Sequence, residues 1–407
     1  MANAGMKLEE IPDSDRKLIE ELRKRIAPEL ELMPAYNDDF SLLRWIVGWD
    51  RKLDAVVPKI RFSLKAIHAL GLDKVDFSDL DRVNEYCDSL SKPLQYLPGS
   101  VVGWDRHDNV LVIQMIGRCD AGGLMPCVRN ADLYRMRIAE SEGVMDVIRR
   151  KEKELGKQIG TCVIFDLDGI NMGQFDTSAL KVITTMLSQL QEMFPDVIRH
   201  IFIVNAPAFV QVLWNLVSPC LAAQTKQKIE FLGKDDWKEK LREAIGPENL
   251  FKHWGGEKEH ESEYGSVRTG GPVPEELKYN PANDLPADQL TKLTVSARSS
   301  SFVPVTVYGD NPKRKIRWWW RVESNDVIFS INLSTSKDGD VVAEHDSDTM
   351  IWPKFKLQTE YVPESGEVSA PAAGVYKLIF DNTYGWLRGK TIRYNIQVIE
   401  GDEEASK

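Results

Sequence analysis

Asp166 and Asp168 stand two apart in Phe165-Asp166-Leu167-Asp168-Gly169, at the end of the apolar run Thr161-Cys162-Val163-Ile164-Phe165. A strand that ends in paired carboxylates and turns out through glycine can hold magnesium and offer a nucleophile and an acid for phosphoryl transfer. Gly233-Lys234-Asp235-Asp236 could pose as the second metal-binding pair. That stretch does not end an apolar strand, however. It opens a helix, where Asp235 reads as an ordinary cap, so the magnesium site lacks its second half.

Other catalytic patterns fail for want of partners. The six histidines (His68, His107, His200, His253, His260, His345) show no HExxH and no acidic or cysteine neighbour at ligand spacing. Gly122-Gly123 is a lone pair outside any phosphate-cradling motif, and no G-x-S-x-G elbow occurs. The five cysteines are scattered, without a CxxC, which fits reduced thiols in the cytosol and neither a disulfide frame nor a zinc site. No metal and no cofactor is expected, and an enzyme is disfavoured.

Binding chemistry is better represented. Lys226-Gln227-Lys228 places a basic pair beside the apolar Ile229-Glu230-Phe231-Leu232-Gly233, a combination suited to an anionic headgroup whose tails lie in apolar surroundings. The preceding residues, Ile201 to Thr225, contain no charged side chain in a protein that is 28% charged. They begin as a buried-strand signal, Ile201-Phe202-Ile203-Val204, and break at Asn205-Ala206-Pro207. Phe209 to Val217 then reads as a helix apolar on nearly every side, ended by Ser218-Pro219. Such a helix is buried in a core, spans a membrane or covers something apolar. A span needs roughly 20 apolar residues, more than Pro207, Asn215 and Pro219 leave. A core helix and a lid over an apolar cavity both remain open. If it is a lid, Leu213 and Trp214, about 100° apart on the helix, put at least one side chain on the outer, membrane-facing side.

Lys313-Arg314-Lys315-Ile316-Arg317 before Trp318-Trp319-Trp320 is the most basic stretch. Neighbouring strand residues face opposite ways, so the three tryptophans cannot all point inward. At least one is expected to be exposed or covered by a partner, with an anionic membrane surface or a protein as the candidates.

The elements that must position these residues fall into two patterns. From Ser14 to Leu72 the spacing predicts helices: Leu18, Ile19, Leu22 and Ile26 share a face, Asp38-Asp39 caps Phe40–Val47, and Leu53-Asp54 starts a third helix that Gly71 stops. A hairpin follows, Val101–Trp104 and Val110–Ile116 about Asp105–Asn109, then a long amphipathic helix from Asp132 to Glu154. Thr161–Phe165, a helix capped by Asp176 or Thr177 and ended by Pro195, and Ile201–Val204 form a strand-helix-strand unit, which predicts parallel pairing. Trp237 to Ile245 is the last helix. Glu257 to Pro286 is rich in Gly, Pro, Glu and Ser without apolar period and reads as a linker. Beyond it lie short strands at 293–295, 302–307, 316–322, 327–333, 375–380 and 392–398, which suggest a sandwich.

The bulk values describe a globular protein, 43% hydrophobic and 9% aromatic. At 407 residues the chain can build two or three domains, and its formal charge of −10 argues against general nucleic-acid binding. The opening MANAGMKLEE has no apolar signal-peptide core, Ala2 excludes myristoylation, and GDEEASK at the other end lacks a prenylation cysteine. Membrane contact is therefore expected to be peripheral.

Taken together in order and spacing, Leu42-Leu43-Arg44-Trp45 with Leu53-Asp54, Phe165–Gly169, Phe194-Pro195-Asp196, Ile203–Pro207, Lys228–Gly233 and Gly255-Gly256 resemble the CRAL-TRIO lipid-binding proteins of the fungal phosphatidylinositol-transfer type. Residues from about 285 to 400 resemble a GOLD domain, through Arg317-Trp318, Gly374-Val375-Tyr376 and Phe380–Tyr384. The pairing, joined through Tyr264-Gly265 and Gly270-Gly271-Pro272, is similar to the supernatant protein factor or tocopherol-associated group. The resemblance implies an α/β CRAL-TRIO domain with a helical N-terminal unit (1–75 and 76–256), a linker (257–286) and an all-β GOLD sandwich (287–400).

It further implies a non-enzymatic carrier with one hydrophobic ligand, a phospholipid, tocopherol or isoprenoid-like molecule, under a gate helix. That gate maps onto Pro207 to Pro219, with Phe209, Val212, Leu213, Trp214, Leu216 and Val217 toward ligand or membrane. Lys228 occupies the position that meets a headgroup phosphate. Thr185 stands where phosphatidylinositol binders carry a glutamate for the inositol; a neutral hydroxyl there can still accept one hydrogen bond. The Asp-Leu-Asp-Gly step becomes a turn of the fold. The expected partners are a lipid ligand, a transient membrane surface and a protein met through the GOLD domain, in the cytoplasm. The rival from another class is a lipid-regulated adaptor in which the sandwich recruits proteins at membranes.

Overall fold

The computed structural model describes residues 5–171, 177–334, 342–345 and 347–401, in two compact units. The first comprises residues up to 68 together with 72–124 and 136–277; the second comprises 69–71, 125–135 and 278 onward. Asp176, one of the two cap candidates, lies outside the described residues, as do the first four and last six residues of the chain.

The first unit begins with helices α1 (Asp13–Arg25), α2 (Ala27–Leu32), α3 (Asp39–Gly48), α4 (Leu53–Ala69) and α5 (Leu80–Ser89). Asp38 caps α3 by accepting the Ser41 N–H at 2.8 Å. Arg44 of α3 is buried against Glu152 and donates to the Ile159 carbonyl at 2.7 Å, so its charge is spent inside the fold. Strands β1 (Ser100–Trp104) and β2 (Val110–Gln114) form the expected antiparallel hairpin. Then come α6 (Ala121–Leu124), α7 (Asn130–Leu155), β3 (Thr161–Asp166), α8 (Thr177–Met193), β4 (Ile198–Val204), α9 (Val210–Val217), α10 (Ala223–Lys226), β5 (Ile229–Phe231) and α11 (Trp237–Ile245). The five strands lie in the order β1-β2-β3-β4-β5, parallel from β2 onward.

One face of this sheet is sealed. Leu111, Ile113, Cys162, Ile164, Phe202 and Val204 alternate onto it and meet Trp237, Leu241 and Ile245, spaced by four along α11, with Trp254 beside them. Asp236, not Asp235, occupies the N-cap position of α11; its carboxylate pairs with Lys240 one turn on, at 3.0 Å, and caps no backbone donor. Residues 257–277, part of the stretch whose composition suggests a linker, pack onto this unit. Val267 enters the core, Lys258 donates to the Val102 carbonyl at 2.9 Å, and Gly99 and Arg268 exchange backbone and side-chain hydrogen bonds. Periodicity does not reveal such a strap, because isolated anchors hold it.

The second unit is a sandwich of two antiparallel sheets, β10-β9-β12-β7 and β11-β8-β13-β6. Its strands are β6 (Thr291–Val295), β7 (Ser300–Val307), β8 (Lys315–Val322), β9 (Asp326–Ser334), β10 (Thr349–Gln358), β11 (Glu364–Ser369), β12 (Gly374–Asp381) and β13 (Lys390–Ile399). The sequence pattern misses β10 and β11. Both are edge strands: β10 carries Pro353 and two register breaks, and β11 is polar and half-exposed. Trp318 and Trp320 point into the sandwich while Trp319 faces outward, half-buried, with its indole donating to the Tyr279 hydroxyl. The chain's own segment therefore covers the odd tryptophan. Lys315 and Arg317 share Glu367 at 2.6 and 3.0 Å, and Arg314 pairs with Glu400 at 2.8 Å, so these cations of the basic stretch have acidic partners within the sandwich.

Residues 125–135 close the sandwich. Tyr134 stacks on Phe355 with ring centroids 4.9 Å apart, and the Ala131 N–H donates to Glu364 at 3.0 Å. Burial pushes the Glu364 carboxyl up to about 8.

Candidate functional site

Strand alternation places every second residue of β3, β4 and β5 on the face of the first sheet opposite the core. Registered neighbours there form rows. Val163, Ile201 and Ile229 make one; Phe165, Ile203 and Phe231 make the next, nearer the carboxyl ends of the strands. In the first row Val163 and Ile201 are buried. In the second, Phe165 and Ile203 are only half-covered and Phe231 is 43% exposed. Cover thins toward β5 and toward the strand ends, the side on which open α/β sheets accept ligands.

Helix α9 borders this row. Asn205 leaves β4 with φ of 54°, Pro207 follows, and α9 starts without a side-chain cap. None of its residues is buried, which excludes the core-helix reading. Gln211, Val212, Asn215 and Leu216 form the outer side; Val212 is 48% and Leu216 46% exposed. Phe209, Leu213, Trp214 and Val217 are half-buried, and the Trp214 ring meets Phe231 edge-on at 5.8 Å. The apolar side chains turned to solvent are thus Val212 and Leu216. An exposed apolar pair on a charge-free helix has no folding advantage, since its area stays in water.

Lys228 precedes β5 at the other end of the strands. Its ammonium donates to Asp196 at 2.9 Å and to the Ile198 carbonyl at 2.6 Å. Thr185 sits mid-way along α8, half-buried, with its hydroxyl donating to the Lys181 carbonyl at 2.8 Å. Among the described residues no hydrogen bond joins Thr185 to Lys228. Thr185 lies eight residues before the last residue of α8, a rise of roughly 12 Å. Lys226 is exposed at the end of α10.

Asp166 turns into the core and Asp168 is exposed, so the two carboxylates do not converge. Asp166 accepts from Asn205 at 2.8 Å, Trp254 at 3.1 Å and the Asp168 N–H at 3.0 Å, with His253 at 3.2 Å. Burial alone would raise its pKa, but the hydrogen bonds from His253, Asn205 and Asp168 outweigh that and hold it below the ordinary carboxylate value. The carboxylate fastens the strand ends and the exit toward α9 to the closing 253–254 segment. Among the described residues, no group of three or more His, Cys, Asp or Glu is placed to hold a metal ion, and no helix is long and apolar enough to cross a membrane.

Residues 94–256, which contain the sheet from β1 to β5, α9 and the closing glycines, match the CRAL/TRIO domain family. The chain carries a CRAL/TRIO domain. Such a domain implies binding and transfer of lipophilic ligands, and its members are lipid carriers rather than enzymes. Protein ctg-1 of Caenorhabditis elegans is 25% identical over 396 residues, covering 94% of this chain and 96% of its own. The CRAL-TRIO domain-containing protein F28H7.8 of the same organism is also 25% identical, covering 98% and 94%. The crystal structure of Sfh5 aligns at 14% identity over 65% of this chain and 94% of its own, with a TM-score of 0.44.

Within the CRAL/TRIO domain, sequence reasoning singled out α9 and Lys228 and did not assemble the sheet row. The signal was present: Phe165, Ile203 and Phe231 are the apolar residues at alternate positions of three strands. The register that makes them neighbours was not. Asp196 as the partner of Lys228 was equally hidden, because the two are 32 residues apart.

Proposed function

We propose that the CRAL/TRIO domain holds one hydrophobic ligand against the row Phe165–Ile203–Phe231, with α9 as the gate that opens at a membrane surface. The observation that carries this reading is the pairing of an incompletely covered apolar sheet row with a surface helix that exposes Val212 and Leu216 and contains no charge. A bound phospholipid, tocopherol or isoprenoid-like molecule completes the cover. Phe209, Leu213, Trp214 and Val217 then face the ligand, and Val212 and Leu216 meet the bilayer when the gate swings. For an anionic headgroup, Lys228 exchanges Asp196 for phosphate; Thr185 offers a single hydroxyl beyond it. The protein is a cytoplasmic carrier that touches membranes transiently, and the resemblance of its sandwich to a GOLD domain supplies a second, separately folded module.

Native mass spectrometry of the purified full chain, followed by transfer of a labelled lipid between vesicles, tests the reading. One co-purified lipid per chain and protein-dependent transfer are expected. A chain free of lipid that also fails to take up and move any labelled lipid would overturn it.

A further inference from the structure

Two large apolar exposures of the second unit sit together on one loop. Between β12 and β13, Trp386 is 76% and Leu387 92% exposed, side by side. The loop is not loose. Asn382, wholly buried, donates from its amide to the Ser296 carbonyl at 3.1 Å and to the Arg388 carbonyl at 3.0 Å. The Arg298 N–H returns to the carbonyls of Asn382 and Gly385 at 3.1 and 3.0 Å, and the Tyr384 hydroxyl donates to Asp326 at 2.6 Å. The 382–388 loop and the 296–299 turn are therefore stitched into one tip, which holds two large apolar side chains out in water. Nothing in the folding of the sandwich requires them there.

Two exposed arginines flank the apolar pair. The Arg298 guanidinium lies over the Trp386 ring at 4.5 Å, and Arg388 follows Leu387, exposed. Among the described residues neither arginine side chain has an ion-pair partner. The acidic groups nearby in the strands are engaged: Asp381 accepts the Thr383 N–H at 2.7 Å, Asp326 holds Tyr384, and Glu323 pairs with Arg393 at 2.9 Å. This separates the tip from the Lys315–Trp319 stretch, whose basic residues share an ion-pair partner in Glu367 and whose outward tryptophan is covered. A tryptophan and a leucine flanked by unpaired arginines match the layering of an anionic bilayer, with headgroup phosphates outside and an apolar boundary beneath. We infer that the Trp386–Leu387 tip is a membrane-docking wedge for an anionic phospholipid surface. It stands independently of the ligand cavity, and it gives the sandwich its own lipid contact.

The test is co-sedimentation of the full chain with phosphatidylcholine vesicles, with and without phosphatidylserine, at low and physiological salt. The parent is expected to pellet with the anionic vesicles and to be released by salt. Trp386→Ser with Leu387→Ser should weaken that partition by about tenfold or more, because the apolar area is no longer inserted. Arg298→Ala and Arg388→Ala should each weaken it about fivefold on anionic vesicles and leave neutral vesicles unaffected. All of these side chains are exposed, so melting transitions and the co-purified lipid should stay as in the parent. The inference is overturned if the parent stays in the supernatant, in which case the wedge meets a protein and not a bilayer. It is equally overturned if the Trp386–Leu387 variant pellets as the parent does. Loss of lipid transfer with partition intact would count against the carrier reading alone.

Discussion

The two faces of the five-stranded sheet are made of similar residues and end in different states. On one, Leu111, Ile113, Cys162, Ile164, Phe202 and Val204 are closed over by α11 and Trp254. On the other, a single strand position away, Phe165 and Ile203 are half-covered and Phe231 is 43% exposed. The contrast shows where packing was completed for stability and where it stops short. Burial worth about 25 cal/mol per Å² is forgone on the second face unless something outside the chain supplies the cover.

The comparison is broken most strongly by truncating each face in turn. Leu241→Ala removes a side chain with no exposure from the sealed face and should cost about 2–5 kcal/mol, read as a large fall in the first unit's melting temperature. Phe231→Ala, on the open face, should cost well under that in the lipid-free protein while lowering retention of the bound lipid. Equal losses of stability would mean that both faces are core.

Asp166 ties the sealed face to the gate side. Asp166→Asn removes charge-assisted bonds to Asn205, His253 and Trp254 and should cost roughly 1.5–3 kcal/mol. Because its folded pKa is depressed, the parent holds this stability above the ordinary carboxylate pKa and loses it as pH falls through the lower folded value. Urea titrations at descending pH should show an acid limb that the Asn variant lacks.

Lys228→Ala sharpens the contrast between ligand types. Loading of a phospholipid should fall about tenfold, the loss of one charge-assisted contact, while an uncharged tocopherol should load as before. Asp196→Ala, which frees the same ammonium, should keep or improve phospholipid loading. A parallel fall in both variants for both ligands would assign the pair to the fold. On the gate, Val212→Asp with Leu216→Asp should slow vesicle-to-vesicle transfer with little change in melting, since both side chains are already nearly half in water. A collapsed melting transition there would remove the distinction between gate and core.

The counterpart to Asp166 lies in the second unit. Glu364 is buried without enough donors, and its carboxyl is pushed up to about 8. Between its ordinary value of 4.5 and about 8, the unfolded chain has released the proton that the folded unit keeps. Stability of the sandwich therefore falls as pH rises across that window. Glu364→Gln should flatten this slope, with the variant's thermal transition above the parent's near pH 8 and close to it near pH 4.5.

How much of this was legible in the sequence depended on how local the signal was. Helix α9 stood out because the absence of charge over a whole segment is a one-dimensional property, and the hairpin, the parallel unit and the sandwich followed from period and turn chemistry. Edge strands β10 and β11 escaped, since a strand paired on one side need not alternate cleanly. The strap at 257–277 escaped because a few spaced anchors, such as Val267 and Arg268, hold an otherwise polar segment.

The sequence by itself determined that a charge-free apolar helix follows a buried strand and precedes a basic pair, and that a β module succeeds an α/β one. Whether that helix was core or surface could not be read from it, since apolarity is a property of the residue and exposure a property of its neighbours. Only the tertiary structure decided that Val212 and Leu216 face water, that Lys228 rests on Asp196, and that Phe165, Ile203 and Phe231 stand abreast. Those facts depend on strand register and on contacts between residues dozens of positions apart, which no local pattern of side chains encodes.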